Sequence, residues 1–524
     1  MRLRSLLVAL TATALVALSA GCGGSGSSSA DPATVVPPGS PVYIEADLQP
    51  SGELKTNSDA AAKKIAGADN LGDLVVEKLE DSGLDEGKPL FYEEEIEPWL
   101  GERGGLFFKR LEDDDRSTGA LIVESTDAEA TWDFIEARFK QSGDLYHTHS
   151  YGGIEYDLGA TDGDAAGVIG DFLVLAEGNT TTGSERVFRD VVDASKGESL
   201  ADEDAFTEAI SAASDGSLAN VYVDVGKLID QSGGQIDPTA RQILRNAGID
   251  PSEATAVASV IPGEDQIAVE LSSDLGGQEA PTGDASALLG SLPGDAFAGV
   301  AVSGFGEQVK EALDRLDEEG IPGTVPRGQL KKGLKQLGID LEAFADSLED
   351  GGVFAVGKTK SSLGGALVLT TRGSKGVATV AGIVTLLRSV HVEGVSVLGG
   401  KYSGFSIRSD ELGEKPLVVV AKQGRVAIGY GLPASLSGLS SDSGKAETLS
   451  DLPAYDDAVA SLGDTPISGF ADGPAALRLA DSLIPSSNEG FEEAKKYLKS
   501  ISFLALGSAK QGDLATAKLI VGLK

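Results

Sequence analysis

Cysteine, histidine, methionine and tryptophan are almost missing from this 524-residue chain, which has one Cys, three His, one Met and two Trp. Zinc clusters need several Cys or His ligands and disulfide frameworks need paired cysteines, so neither has material here. Thiol catalysis has a single candidate. Aromatic residues make up only 5%, which leaves sugar-stacking platforms sparse. Positive charge is scarce too: 43 Lys and Arg stand against 81 Asp and Glu, a net charge of −38. Recognition of a phosphate backbone draws its affinity from Lys and Arg, so a nucleic-acid partner is excluded. What remains is an ordinary globular composition, 41% hydrophobic and 24% charged. That balance excludes a wholly disordered, collagen-like or multi-span membrane chain. At roughly 100–200 residues per domain the length predicts two to four domains.

The first residues point to a compartment. Arg2 and Arg4 form a short basic region, Leu6 to Ala20 is an apolar run, and Leu18-Ser19-Ala20-Gly21-Cys22 follows. The pattern resembles a bacterial lipobox behind a signal peptide covering residues 1–21. The resemblance implies cleavage between Gly21 and Cys22 and a diacylglycerol thioether on Cys22. Ser19 departs from it, because Leu is preferred three places before the Cys and here stands one place further back, at Leu18. The apolar run falls short of the roughly twenty residues needed to span a bilayer, and no other segment reaches that length. Loss of residues 1–21 removes Arg2 and Arg4 and makes the chain still more negative. Anionic headgroups repel such a body, so a lipid on Cys22 must hold it. The Gly, Ser and Pro composition from Gly23 to Ser40 predicts a flexible tether, placed at residues 22–35, that lifts the body off the membrane.

No short repeat period appears, but landmarks recur about 250 residues apart. Pro38-Gly39 matches Pro293-Gly294, Gly104-Gly105 matches Gly351-Gly352, and Gly119-Ala120-Leu121 matches Gly365-Ala366-Leu367. Tyr151 and Gly153 match Tyr402 and Gly404, Leu200 and Phe206 match Leu449 and Tyr455, and Asp265 matches Asp513. The order predicts two tandem copies of one domain, at 36–275 and 290–524, with a Gly, Asp and Ser-rich linker at 276–289. Thr126 to Glu129 reads as a capping box that opens a helix carrying Trp132, Ile135 and Phe139. Val377, Val380, Val384 and Leu387 form the corresponding stripe in the second copy, and Phe305, Val309, Leu313 and Leu316 another. Strands are expected at 120–124, 172–176, 218–225, 267–271, 366–370, 417–421, 426–430 and 515–521. Short Gly-containing turns, such as Lys422-Gln423-Gly424-Arg425, favour antiparallel hairpins. The fold class is α+β, with mainly antiparallel sheets packed with helices.

Several segments resemble a family of bacterial, mostly actinobacterial, exported proteins grouped as domain of unknown function 3352 (DUF3352). They are Pro38-Gly39-Ser40-Pro41-Val42-Tyr43-Ile44-Glu45, Pro98-Trp99-Leu100-Gly101 and Ala120 to Asp127. Tyr151-Gly152-Gly153-Ile154-Glu155-Tyr156, Ser199-Leu200-Ala201 with Phe206, and Tyr222-Val223-Asp224 extend the likeness over the first copy and, more faintly, the second. The resemblance implies an exported two-copy lipoprotein and carries no activity with it.

The chemical motifs are weak. Gly352 to Thr359 has the spacing of a phosphate loop, but its intervening Val, Phe, Ala and Val read as a strand and no helix follows to face a phosphate. His147, His149 and Tyr151 would share one strand face, with a third metal ligand having to come from an acid such as Glu155 or Asp157. Glu93-Glu94-Glu95, Glu97 and Asp113-Asp114-Asp115 read as solvated surface. Asp162, Asp164 and Gly167 begin a calcium-loop spacing that Leu173 breaks. There is no Gly-x-Ser-x-Gly elbow. The expectation is therefore a non-enzymatic binding or structural module on the outer face of the cell membrane. It has no cofactor, metal or nucleotide, and its partner is an envelope lipid, a wall polymer or a protein. A carrier of an envelope lipid or other hydrophobic ligand is the alternative, and a carboxylate-based wall-glycan hydrolase the second.

Overall fold

A computed structural model describes residues 30–70, 92–110, 117–142, 145–160, 163–231, 254–274, 283–319, 326–389, 392–399, 402–412, 414–422, 424–440, 447–511 and 514–524. The chain forms two compact units. One comprises Met1–Ala280 with Lys510–Lys518 and Leu523–Lys524, and the other Pro281–Ala509 with Leu519–Gly522. The C-terminal strand, expected to close the second domain, thus groups largely with the first. Lys518 is ion-paired to Glu270 at 3.0 Å and the Leu523 N–H donates to the Asp265 carbonyl at 2.7 Å.

In the first unit the strands are β1 (Val42–Asp47), β2 (Leu100–Arg110), β3 (Thr118–Ser125), β4 (Tyr146–Tyr151), β5 (Ile154–Gly159), β6 (Ala165–Ile169), β7 (Phe172–Glu177), β8 (Ala219–Asp224), β9 (Thr255–Pro262) and β10 (Gln266–Asp274). Their order across the sheet is β4-β5-β6-β7-β3-β2-β1-β8-β9-β10, every pair antiparallel. The central strands are apolar on both sides because a helix covers each face. Val187, Phe188, Val191 and Val192 of the helix Thr181–Ala194 pack with Phe107, Ile122, Tyr156 and Val174. On the opposite face Ile135, from the helix Ala128–Ser142, packs with Trp99, Leu106, Leu121 and Leu173. Phe139 lies on that helix as expected. The expected capping box is not what opens it. Asp127 Oδ1 accepts the N–H groups of Glu129 and Ala130, both at 3.0 Å, while the Thr126 hydroxyl turns away to the Trp99 carbonyl at 3.2 Å.

The second unit holds β11 (Ala296–Val302), β12 (Leu348–Val356), β13 (Gly364–Thr371), β14 (Val395–Val397), β15 (Ser403–Ile407), β16 (Leu417–Lys422), β17 (Arg425–Tyr430), β18 (Ile467–Asp472) and β19 (Ile501–Gln511). Here the order is β14-β15-β16-β17-β13-β12-β11-β18-β19, again antiparallel throughout. The predicted turn between β16 and β17 is a hairpin in which Lys422 faces Arg425 and Gly424 has φ +79°. Val380 and Val384, on the helix Lys375–Ser389, pack with Leu369, Phe405 and Val426, and Leu439 packs on the other face with Val418, Val420 and Ala427. Capping boxes close the same short turn in both units, Ser199 with Asp202 and Thr448 with Asp451. The class is α+β, helices on antiparallel sheet.

One expectation fails. Of the tether predicted at residues 22–35, the part from Asp31 on is packed structure. Asp31 caps a short helical turn, Pro32–Val35, whose Ala33 and Val35 are buried with Val36 against Tyr43, Phe107 and Leu200. Three apolar side chains among the prolines suffice to draw this segment into the core, and the Leu200 N–H donates to the Val36 carbonyl at 2.9 Å. The segment expected to be a signal peptide, Cys22 and the remainder of the expected tether lie outside the described residues.

Phe188 is fully buried and stacks on Tyr156 at 4.7 Å between centroids. Phe188→Ala should destabilise the chain by about 3–5 kcal/mol in denaturant unfolding, whereas the exposed Val353→Ala should change it by less than about 0.5 kcal/mol.

Candidate functional site

The described residues hold one dense polar cluster inside a sheet, and register creates it. Gly105, Glu45, Asn220, Ser259 and Glu270 stand directly opposite one another on β2, β1, β8, β9 and β10. Glu45 accepts from Arg103 Nη2 at 2.8 Å and from Asn220 Nδ2 at 3.1 Å. Asn220 Oδ1 accepts from the hydroxyls of Ser217 at 3.1 Å and Ser259 at 2.8 Å. Ser214 donates to Glu270 at 2.6 Å, and Lys518 completes the row. Against the desolvation of burial, Ser214 and Lys518 hold the Glu270 carboxyl below its usual range.

At the other end of the row the cluster grips the entry of the chain. Glu124 accepts the N–H of Ala30 at 3.1 Å with one oxygen and that of Arg103 at 2.9 Å with the other. The Arg103 guanidinium lies 3.8 Å from Asp31. Glu45 is only 14% exposed, and desolvation pushes its carboxyl up against the opposing pull of Arg103 and Asn220. Beside it the Tyr43 and Tyr222 hydroxyls are buried without a hydrogen-bond partner. The two tyrosines face each other across β1 and β8, with Phe206 edge-on to both. Burial, with Glu45 and Asp31 adding to it, pushes the Tyr43 hydroxyl up, so it stays protonated. The arrangement neutralises its acids with Arg, Asn, Lys and backbone N–H groups and holds the start of the body in place. Sequence reasoning missed it because its residues come from β1 and β2 at one end of the unit and β8 to β10 at the other, and meet only through register.

The sequence motifs map elsewhere. His147 and His149 are exposed on β4, where His149 lies against the Tyr156 ring at 5.7 Å and Thr148 between them bonds Asp157 at 2.8 Å. Among the described residues no group of three or more His, Cys, Asp or Glu could hold a metal. The phosphate-loop spacing is β12 as far as Val356, followed by Gly357, a single 3-10 turn at Lys360–Ser362 and β13, with no α-helix. Glu94, Glu95 and Ile96 belong to a single helical turn, Tyr92–Ile96. Asp113-Asp114-Asp115 and Asp162 lie outside the described residues, and Asp164 is buried. No helix among the described residues is long and apolar enough to cross a membrane.

Because Glu45 is held high, its contribution favours folding at low pH and is lost as pH rises through its folded pKa. Glu45→Gln should therefore gain stability relative to the parent chain between mildly acidic and neutral pH, read as the difference between unfolding midpoints across that range. Tyr43→Phe removes a buried hydroxyl without a partner and should leave the midpoint unchanged or raise it.

Comparison with known proteins gives a family and little more. No curated protein matches the chain. Among solved structures, crystal form III of TP0453 is similar at 13% identity, covering 48% of this chain and 83% of that one, with a TM-score of 0.27. Crystal form I of TP0453 gives 14% identity, 48% and 82% coverage and a TM-score of 0.26. Similarity at that level assigns nothing. The model of the family described as protein of unknown function DUF3352 matches residues 5–397. The chain belongs to the DUF3352 family.

Proposed function

We propose that this chain is a bacterial lipoprotein, held on the outer face of the cell membrane through a lipid on Cys22, and that it serves as a non-enzymatic binding or structural module built from two tandem copies of one domain. The observation that carries the reading is how abruptly the signal-like N-terminus gives way to packed structure. Cys22 is only eight residues before Ala30, where Glu124 already holds the backbone. An extended chain covers about 3.3–3.6 Å per residue, so the leash reaches at most about 29 Å. A lipid at Cys22 would keep the first unit close to the bilayer, where an envelope lipid or a membrane-proximal partner is the accessible ligand.

Support for the duplication is the shared strand order of the two units and the recurrence of the same capped turn before the helices Asp204–Ser211 and Pro453–Leu462. The copies differ where the polar row stands. Glu45 faces Gly105, and Ala301 faces Gly352, so the second copy has no carboxylate at that place. A binding or structural role is supported by the engagement of the cluster's acids within the fold.

The N-terminal peptide of the chain taken from its native membrane tests the anchor. Its mass should show a diacylglycerol-modified Cys22 at the new N-terminus, and Cys22→Ala should release the chain from the membrane. An unmodified Cys22 within an uncleaved N-terminus would contradict the reading.

A further inference from the structure

Only three histidines occur in the chain, at 147, 149 and 391. Two of them stand two residues apart on β4, and the fold gives that pair a setting of its own. Among the described residues β4 pairs with β5 alone, so it is an edge of the first unit's sheet. His149 stands opposite Tyr156 and His147 opposite Leu158, which places both imidazoles on the face covered by the helix Thr181–Ala194. The cover stops short of them. Tyr156 and Leu158 are buried, while His147 and His149 are exposed.

Same-face neighbours on an antiparallel strand are about 6.8 Å apart along it. Two imidazole arms close that span when their nitrogens meet one ion at about 2.0–2.1 Å each. One arm is already oriented. The His149 ring lies over Tyr156 at 5.7 Å between centroids with 25° between the planes, and Tyr156 stacks in turn on Phe188 at 4.7 Å. The Tyr156 hydroxyl donates to Glu185 at 2.9 Å, so the ring beneath His149 is fixed at both ends. His147 has no hydrogen bond or ion pair among the described residues, and nothing in the fold competes for its nitrogens. The Arg189 guanidinium on this face lies over the Tyr151 ring at 4.9 Å and is ion-paired to Glu185 at 2.6 Å, which offsets its charge.

The acids expected to complete a metal site turn away. Glu155 stands opposite Ser150 and Asp157 opposite Thr148, on the other face of the strand pair, and Asp157 accepts from the Thr148 hydroxyl at 2.8 Å. The protein donors are therefore two imidazole nitrogens without a carboxylate. Calcium and magnesium take oxygen ligands, whereas imidazole suits copper, zinc and nickel, with Cu2+ the tightest of the divalent series.

We infer that His147 and His149 form a surface site for a divalent late transition metal on the open edge of the first unit, the two imidazoles holding the ion and water or a donor on an incoming molecule filling its other positions. The inference goes beyond the binding-module reading and rests neither on it nor on lipidation of Cys22. A net charge of −38 draws cations to the whole surface, so the measurement has to separate this pair from diffuse binding.

The test uses the full chain carrying Cys22→Ala, which removes the one thiol, titrated with Cu2+ alone. One tightly held ion per chain is expected, with an electron paramagnetic resonance spectrum split by two nitrogens and no competition from excess Ca2+. His147→Ala and His149→Ala should each lose this site, and His391→Ala should keep it. His149→Ser with Ser150→His leaves the composition unchanged and moves one imidazole to the opposite face, so it too should lose the two-nitrogen splitting. All three positions on β4 are exposed, so circular dichroism and the unfolding midpoint should not change. Absence of a stoichiometric ion would overturn the inference. So would a two-nitrogen site that survives the β4 changes or disappears with His391. The mass of the native N-terminal peptide is read separately, so failure here leaves the anchored reading to stand or fall by itself.

Discussion

The constraint on which the first unit depends is the double pairing of β1, antiparallel to β2 on one side and to β8 on the other. It places a strand from the start of the chain at the centre of the sheet and carries the preceding segment, Asp31 to Ser40, into the core with it. From that placement follow the burial of Ala33 and Val36, the grip of Glu124 on Ala30, and the row in which Glu45 meets Asn220. The second unit repeats the pairing with β11 between β12 and β18, yet puts Gly299 where the first has Tyr43 and Ala301 where it has Glu45. The space facing Gly299 is filled instead by Leu289, Leu292 and Leu449.

If the units are copies, they have diverged by exchanging which surfaces are covered. The first keeps both faces packed and invests a polar row in holding its own N-terminal segment. In the second the corresponding positions are small and apolar, and Val300, Val353 and Leu506 are exposed.

Much of the architecture was legible in the sequence. Apolar runs gave β3, β7, β8 and β10 in the first unit and β13, β16 and β17 in the second, and Lys422 to Arg425 gave a hairpin, because alternation and turn chemistry are local. Three features were not legible, for one reason. Val35 and Val36 sit among prolines and serines, so composition read them as tether, and only their contacts with Tyr43 and Leu200 show otherwise. Glu45, Asn220, Ser259 and Glu270 are scattered over more than two hundred residues and meet through register alone. Val300 and Val353 are as apolar as their buried neighbours, so no pattern along one strand says which face has a cover. The same blindness to partners made Thr126 look like the cap that Asp127 is.

The central claim is that packed structure begins by Asp31, within the stretch whose composition reads as tether. Amide hydrogen exchange at Val36 and Leu200, whose N–H groups donate to Ala33 and Val36, tests it most directly. The account predicts protection comparable to that of β1 at both amides. Exchange at Val36 at the rate of an unstructured chain, with β1 still protected, would show that the tether runs past this point and would contradict the account.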